Sequence, residues 1–357
     1  MIETRSTPLA VTLSTWSRDK ERDIIHATLS NGSISVELTN IGCSITALHV
    51  PDRRGVPANI VAGFNDLVQY KVNEDYFGCV IGRFANRITN GQFHLNEKNY
   101  QLSVNNGNNH LHGGTEGFNR KLWKVQETIE TDNECGIVFS LFSRDGEEGY
   151  PGNLTVLVKY LLGRDNKLHI IYKAVTDKST PVSLTNHSYF NLTGFSDPTI
   201  YDHTLCIAAW EYTAKSNNNT ATGKILPVAG TALDFRHPKR IGNDINTLAA
   251  DMGYDHNFIL KRSNSPDIIN AAVLCESTSG RMLTVYTDKP AIQVYTGNFW
   301  HGAVNGQQDI AYVKHGGVAL ETQAFPDSPN HPHFPDAILH PGETYASTTI
   351  YEFGISS

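Results

Sequence analysis

Two alternating stretches joined by a turn constrain this chain most. N-L-T-V-L-V-K-Y at 153–160 and K-L-H-I-I-Y-K-A-V at 167–175 repeat apolar residues at alternate positions, with G-R-D-N-K at 163–167 joining them. Successive side chains of a strand point to opposite faces, so this period marks strands with one face buried. Gly, Asp and Asn supply the backbone conformations of a tight reversal, and the unit reads as a β-hairpin. The same period returns in S-I-S-V-E-L at 33–38 and R-M-L-T-V-Y-T at 281–287, beside the turn residues S-N-G-S at 30–33 and S-T-S-G at 277–280. Helical signals are confined to N-D-L-V-Q-Y at 65–70, with Asn65 as expected cap, and a segment near Ile245–Ala250, with Asn243 or Asp244. Strands without βα alternation predict an all-β fold, a large sandwich of antiparallel sheets. No Gly/Ser linker, low-complexity tract or fixed-period repeat divides the 357 residues, so one domain over 1–357 is expected.

Charge narrows the function classes. The formal net charge is −7 and no Lys/Arg run exceeds a dipeptide, which argues against a nucleic-acid partner. Apolar runs fall far short of the ~20 residues needed to cross a bilayer, so no membrane attachment is expected. The opening M-I-E-T-R-S-T-P-L has no basic start followed by an apolar core, and a cytoplasmic location is the expectation. The 5 cysteines are scattered and form no C-x-x-C, so buried free thiols are expected rather than disulfides or a zinc site.

Unusual polar residues gather in a few segments. G-C-V-I-G-R-F-A-N-R-I at 78–88 sets Arg83 and Arg87 among apolar neighbours, where a guanidinium must be paired or solvated. In N-N-G-N-N-H-L-H-G-G at 105–114, His110 and His112 would share a face of an extended segment, and Gly113-Gly114 allows close approach or positive φ. Two histidines without a third ligand are a weak basis for a metal. T-N-H-S-Y-F-N-L-T-G at 185–194 carries His187, and M-G-Y-D-H-N-F at 252–258 carries Asp255. I-Q-V-Y-T-G-N-F-W at 292–300 would put Gln293, Tyr295 and Gly297 on one face. Glu321 follows the apolar V-A-L, where desolvation would raise its pKa and poise it as a general base. Histidines, carboxylates, amides and aromatics, without a serine or cysteine nucleophile motif, are the makeup of a sugar site.

In their order, G-R-F-A-N-R-I, H-L-H-G-G, D-G-E-E-G-Y-P-G, T-N-H-S-Y-F-N-L, G-Y-D-H-N-F, V-Y-T-G-N and L-E-T-Q resemble the galactose mutarotase (aldose 1-epimerase) family. The resemblance runs from about residue 40 to the C-terminus. It implies the β-sandwich of that family and interconversion of α- and β-anomers of free hexoses such as galactose and glucose, with no cofactor and no metal. By position, His187 matches the family's general acid and Glu321 its general base. Asn86, Arg87, His112, Asp255 and Gln293 match sugar-contacting residues, and Tyr189 a further wall of the site. His110 is not carried over, and Arg83 is expected to be structural. Phe84, in place of a valine, and Trp300 are departures expected to tune which sugar is accepted. The expected partner is a small free aldose, the expected assembly a monomer or homodimer. Ring opening asks His187 for a pKa near neutrality. Alternatives from other classes are a non-catalytic carbohydrate-binding protein, a hexose-6-phosphate epimerase, and a metal hydrolase using His110, His112, His331 and His333.

Overall fold

The hairpin forms where the alternation places it. Strands Leu154–Gly163 and Lys167–Thr176 pair antiparallel from Leu154↔Thr176 to Leu162↔Leu168, with Asn166 in the turn at φ 61°. Asn tolerates that left-handed conformation better than other side-chain-bearing residues. The computed structural model describes residues 9–19, 22–261, 267–302 and 306–356. Within it the hairpin lies in a 9-stranded antiparallel sheet that also holds Glu134–Ser143, Tyr345–Ile355, Arg281–Thr287 and Ile269–Cys275. A 5-stranded meander runs from Ala10–Asp19 to Pro57–Asn59.

A 6-stranded sheet carries the chemistry, in the order Tyr189–Phe190, Val318–Gln323, Ala291–Tyr295, Asp255–Leu260, Ala209–Lys215, Ala221–Pro227. Alternation gives its central strands two distinct faces. Ile292, Val294, Val318, Leu320 and Phe258 join one core cluster with Val156, Val158 and Ile170 of the large sheet and Leu29, Val36 and Leu38 of the meander. Burying each such side chain is worth ~1.5–3 kcal/mol, so these contacts hold the three sheets together. The intervening residues face the other way. Register aligns Asn257 with Gln293 and Gln293 with Glu321 in one line, and Asp255 with Tyr295, Tyr295 with Ala319 and Ala319 with Tyr189 in the next. Directly opposed residues stand ~4.5–5.5 Å apart, so residues far apart in sequence become neighbours on one polar face.

The helical segments are single 3₁₀ turns. Leu67–Lys71 is capped by Asp66, not Asn65: Asp66 accepts the Val68 N–H at 2.9 Å while Gln69 reaches back to the Asp66 N–H, a D-x-x-Q capping box. Near residue 245 there are two turns, Ile241–Asn243 and Ile245–Thr247, with Asp244 before the second but making no side-chain cap bond. Among the described residues no helix is long and apolar enough to cross a membrane. Cys43, Cys79 and Cys135 are buried, Cys206 and Cys275 half-buried, and all are free thiols.

Candidate active site

Loops close over the polar face of the 6-stranded sheet and leave a cleft of about 340 Å³, within the range of small-ligand sites. His187, Glu321, Asn86, Arg87, His112, Tyr189, Asp255 and Gln293 all line it. Glycines make the closure possible. Gly113, at φ 89°, lies so close to the 78–88 segment that a Cβ there would come within 1.7 Å of the Gly82 carbonyl oxygen. No side chain fits, so the histidine loop and the arginine loop dock backbone to backbone. Behind them Glu148 accepts the N–H groups of Thr115 at 3.1 Å and Glu116 at 2.9 Å, and Lys121 pairs with Glu147 at 2.8 Å. That is the place of the D-G-E-E-G segment: it braces the histidine loop from outside the cleft.

At one end of the cleft His187 Nε2 stands 3.4 Å from Glu321 Oε1, with both side chains almost fully buried. His187 Nδ1 and Glu321 Oε2 have no hydrogen-bond partner in the protein. Burial disfavours charge on both groups. It lowers the imidazole to about 4, with the Asp255 charge a smaller opposing influence. It pushes Glu321 well above the carboxylate range, reinforced by Asp255 and opposed by Arg87. The direction for Glu321 is the one its place after V-A-L predicts. His187 differs from the near-neutral expectation, because desolvation outweighs the Asp255 charge. Burial thus favours the uncharged form of each group, a protonated carboxyl beside a neutral imidazole, and in that form the pair shares one transferable proton.

His112 is neutral for the same reason: burial drives it well below its ordinary value, aided by His187. Its Nδ1 accepts the Asn86 N–H at 3.2 Å, so the proton resides on Nε2, while the His112 backbone N–H donates to the Asn86 carbonyl oxygen at 3.1 Å. Asn86, at φ 69°, accepts the Arg87 N–H on its side-chain oxygen at 2.8 Å and so orients both neighbours. At the other end Asp255 Oδ1 accepts from Gln293 Nε2 at 2.6 Å, and Oδ2 lies 4.0 Å from Arg87 Nη1. Arg87 Nε in turn donates to Asn106 at 3.0 Å. Tyr189 packs against His187 with ring centroids 4.9 Å apart and meets Tyr295 edge to face.

His112, His187 and Glu321 bring ligand atoms within 4.8 Å of one another, the one such trio among the described residues. A cation on His112 Nε2 would need the lone pair of that nitrogen. The proton would then move to Nδ1 and oppose the Asn86 N–H, so this donor set does not suit a metal.

A family model described as Aldose 1-epimerase matches residues 26–352. The chain belongs to the aldose 1-epimerase family. It is 45% identical over 328 residues to a galactose mutarotase of Sus scrofa, covering 92% of this chain and 93% of the relative. It is 37% identical over 331 residues to an aldose 1-epimerase of Escherichia coli (strain K12), covering 91% and 93%. The crystal structure of a galactose 1-epimerase from Lactobacillus acidophilus superposes with a TM-score of 0.85 at 29% identity, covering 98% of this chain and all of that one.

Within this aldose 1-epimerase fold, several expectations need correction. His110 and His112 do not share a face: His112 adopts φ 52°, which breaks the alternation. His110 turns to the Ser103 carbonyl at 2.7 Å and the Tyr150 hydroxyl at 2.8 Å. Phe84, expected to tune the sugar accepted, is a core residue packed with Ile88, Phe93 and Tyr150 and is not among the residues lining the cleft. Trp300 is buried with Phe77, Tyr189 and Tyr312, because the turn at Gly297, φ 60°, rotates it away; Phe299, 63% exposed, lines the cleft instead. His331 and His333 lie near the 221–223 backbone, with Nε2 atoms 3.3 Å from the Ala221 oxygen and 2.8 Å from the Gly223 oxygen. Arg83, by contrast, is structural as expected: it is buried, donating to Ser143 Oγ at 3.0 Å and to the Pro151 and Arg144 carbonyls at 2.9 and 2.8 Å. Sequence reasoning missed Tyr76, whose ring stacks on His187 at 5.7 Å and leans on His112 at 4.7 Å. It sits in a turn at φ 60°, where no periodic signal operates. Asn106 was visible only as part of the N-N-G-N-N run.

Proposed function

We propose that this aldose 1-epimerase interconverts the α- and β-anomers of free hexoses such as galactose and glucose, with Glu321 and His187 transferring the protons. The carrying observation is the buried, mutually facing pair at 3.4 Å with an unpartnered atom on each group. Mutarotation removes a proton from the anomeric hydroxyl and delivers one to the ring oxygen. Moving the shared proton from Glu321 to His187 yields carboxylate and imidazolium, the form that does both. The C1–ring-oxygen bond then breaks, O1 becomes a carbonyl oxygen, and rotation about C1–C2 presents the other carbonyl face. Closure returns each proton, so the pair ends with the inventory it began with. No covalent intermediate is needed.

The remaining groups bind and orient. His112 Nε2–H donates to a sugar oxygen, Arg87 and Gln293 donate to hydroxyls, and Asp255 accepts from one. Tyr76 and Tyr189 support the His187 ring, and Asn86 fixes His112 and Arg87. Holding the reacting atoms this way removes orientational entropy from the barrier. A hexose 6-phosphate suits the cleft less well: its mouth carries Glu74 and Asp75, and Arg87 is the one Arg or Lys among its lining residues. A purely binding role leaves the unpartnered pair without purpose.

The reading includes one domain, since the family match runs undivided over residues 26–352 and the main core draws on all three large sheets. It also includes a reducing, cytoplasmic setting, in keeping with the free thiols. Polarimetry of freshly dissolved α-galactose tests the function: acceleration over the buffer blank, unaffected by EDTA, is expected. A rate equal to the blank refutes it.

A further inference from the structure

We infer that Lys215, tethered by Asp251, is a positioning residue that sets the sugar-accepting oxygen of Asp255; this rests on reading the cleft as a sugar site. Lys215 ends the strand Ala209–Lys215, and Asp255 begins the neighbouring strand Asp255–Leu260. Lys215 Nζ donates to the Asp255 carbonyl oxygen at 2.8 Å and to Asp251 Oδ1 at 2.6 Å. The Asp255 N–H is also held, by His256 Nδ1 at 3.1 Å. The proton of His256 therefore sits on Nε2, which lies 3.4 Å from Asp251 Oδ2. Asp251 thus gathers the two side chains that grip the Asp255 backbone from either side.

The carboxylate is treated differently. Oδ1 is taken by Gln293 at 2.6 Å. Oδ2 lies 3.9 Å from Lys215 Nζ and 4.0 Å from Arg87 Nη1, beyond hydrogen-bonding range of either. Two cations flank an oxygen that neither uses, which leaves its lone pairs for a hydroxyl of the substrate. Lys215 is not among the residues lining the 340 Å³ cleft, but with Asn86, Arg87, Asp255 and Gln293 it lines a small pocket that adjoins the cleft. It also borders a further cavity of about 500 Å³ beside Tyr212, Ser216 and Asn219. A flexible lysine released from Asp251 would swing into that space, and Asp255 would lose one of its two backbone clamps and one flanking charge.

The test compares kcat and KM for galactose, and for deoxygalactoses each lacking one ring hydroxyl, in wild type, Lys215→Met, Lys215→Arg and Asp251→Asn. Losing a charge-assisted contact raises KM by ~10–100-fold, and that rise is expected in Lys215→Met with kcat nearly retained. The penalty should collapse for the one deoxy sugar that lacks the hydroxyl bound by Asp255. Asp251→Asn should show a smaller rise of the same selectivity, and Lys215→Arg partial recovery. A KM unchanged by either Lys215→Met or Asp251→Asn, or a penalty equal for every sugar, overturns the inference; if Lys215→Met does not fold, Asp251→Asn and Lys215→Arg decide by the same criterion. A wild-type protein that does not accelerate mutarotation refutes the functional reading and takes this inference with it, whereas an active wild type with insensitive variants refutes the inference alone.

Discussion

At one end of the cleft, two buried atoms, His187 Nδ1 and Glu321 Oε2, have no partner in the protein. At the other, Asp255 is held through its amide, its carbonyl oxygen and one carboxylate oxygen by His256, Lys215 and Gln293. The first end keeps two atoms free of protein partners, whereas the second is fixed at three atoms with only Oδ2 left open. On the proposed function, the difference separates two tasks. A proton-transfer pair must keep lone pairs and a proton free for the substrate, whereas a binding anchor works best when already immobile.

The largest test of this contrast is removal of the pair. Glu321→Gln and His187→Gln should each lower kcat by ~10²–10⁴-fold in polarimetric assays, with KM changing far less. A variant with wild-type turnover would break the assignment. Asp255→Asn keeps the shape of the anchor and removes its charge. It should raise KM by ~10–100-fold while kcat falls much less, and the reverse pattern would erase the distinction between the two ends.

Acid titration sharpens the comparison further. Because burial holds His187 at about 4, the pair gains its second proton, and loses its acceptor, only as pH falls through that value. The acid limb of kcat/KM, which reports the unliganded enzyme, should therefore lie near pH 4. A limb at the ordinary histidine value would show that His187 is not desolvated in the working enzyme.

The smallest effect is on stability. Glu321 has a folded-state pKa raised above its ordinary 4.5, so above that value the folded state binds more protons than the unfolded chain. Stability is thereby lost as pH rises through the window up to the raised pKa. Glu321→Gln removes that loss. Its Tm should exceed that of wild type by about 2 °C near pH 8, and the gain should vanish below about pH 4.5.

Much of the site could be read from local patterns, and the exceptions have specific causes. Gln293 and Tyr295 were expected on one face, and both line the cleft, because strand alternation is set by the backbone itself. The prediction failed where a positive φ interrupts the alternation: at His112, which parts from His110, and at Gly297, which exchanges Trp300 for Phe299. Arg83 and Arg87 look alike in sequence. One is sealed among carbonyl oxygens near Ser143 and Pro151, and the other opens onto the sugar-sized cleft.

By itself the sequence determined the strand segments, their turns, the all-β class and the polar residues worth watching, since side-chain period and turn chemistry act over a few neighbouring residues. The tertiary structure alone decided which of them meet. Register brings Asn257, Gln293 and Glu321 into one line, and loop closure places His187 and Tyr76 over it. Only that closure desolvates His187 and Glu321 enough to move both pKa values, because desolvation depends on everything packed around a group rather than on its neighbours in the chain.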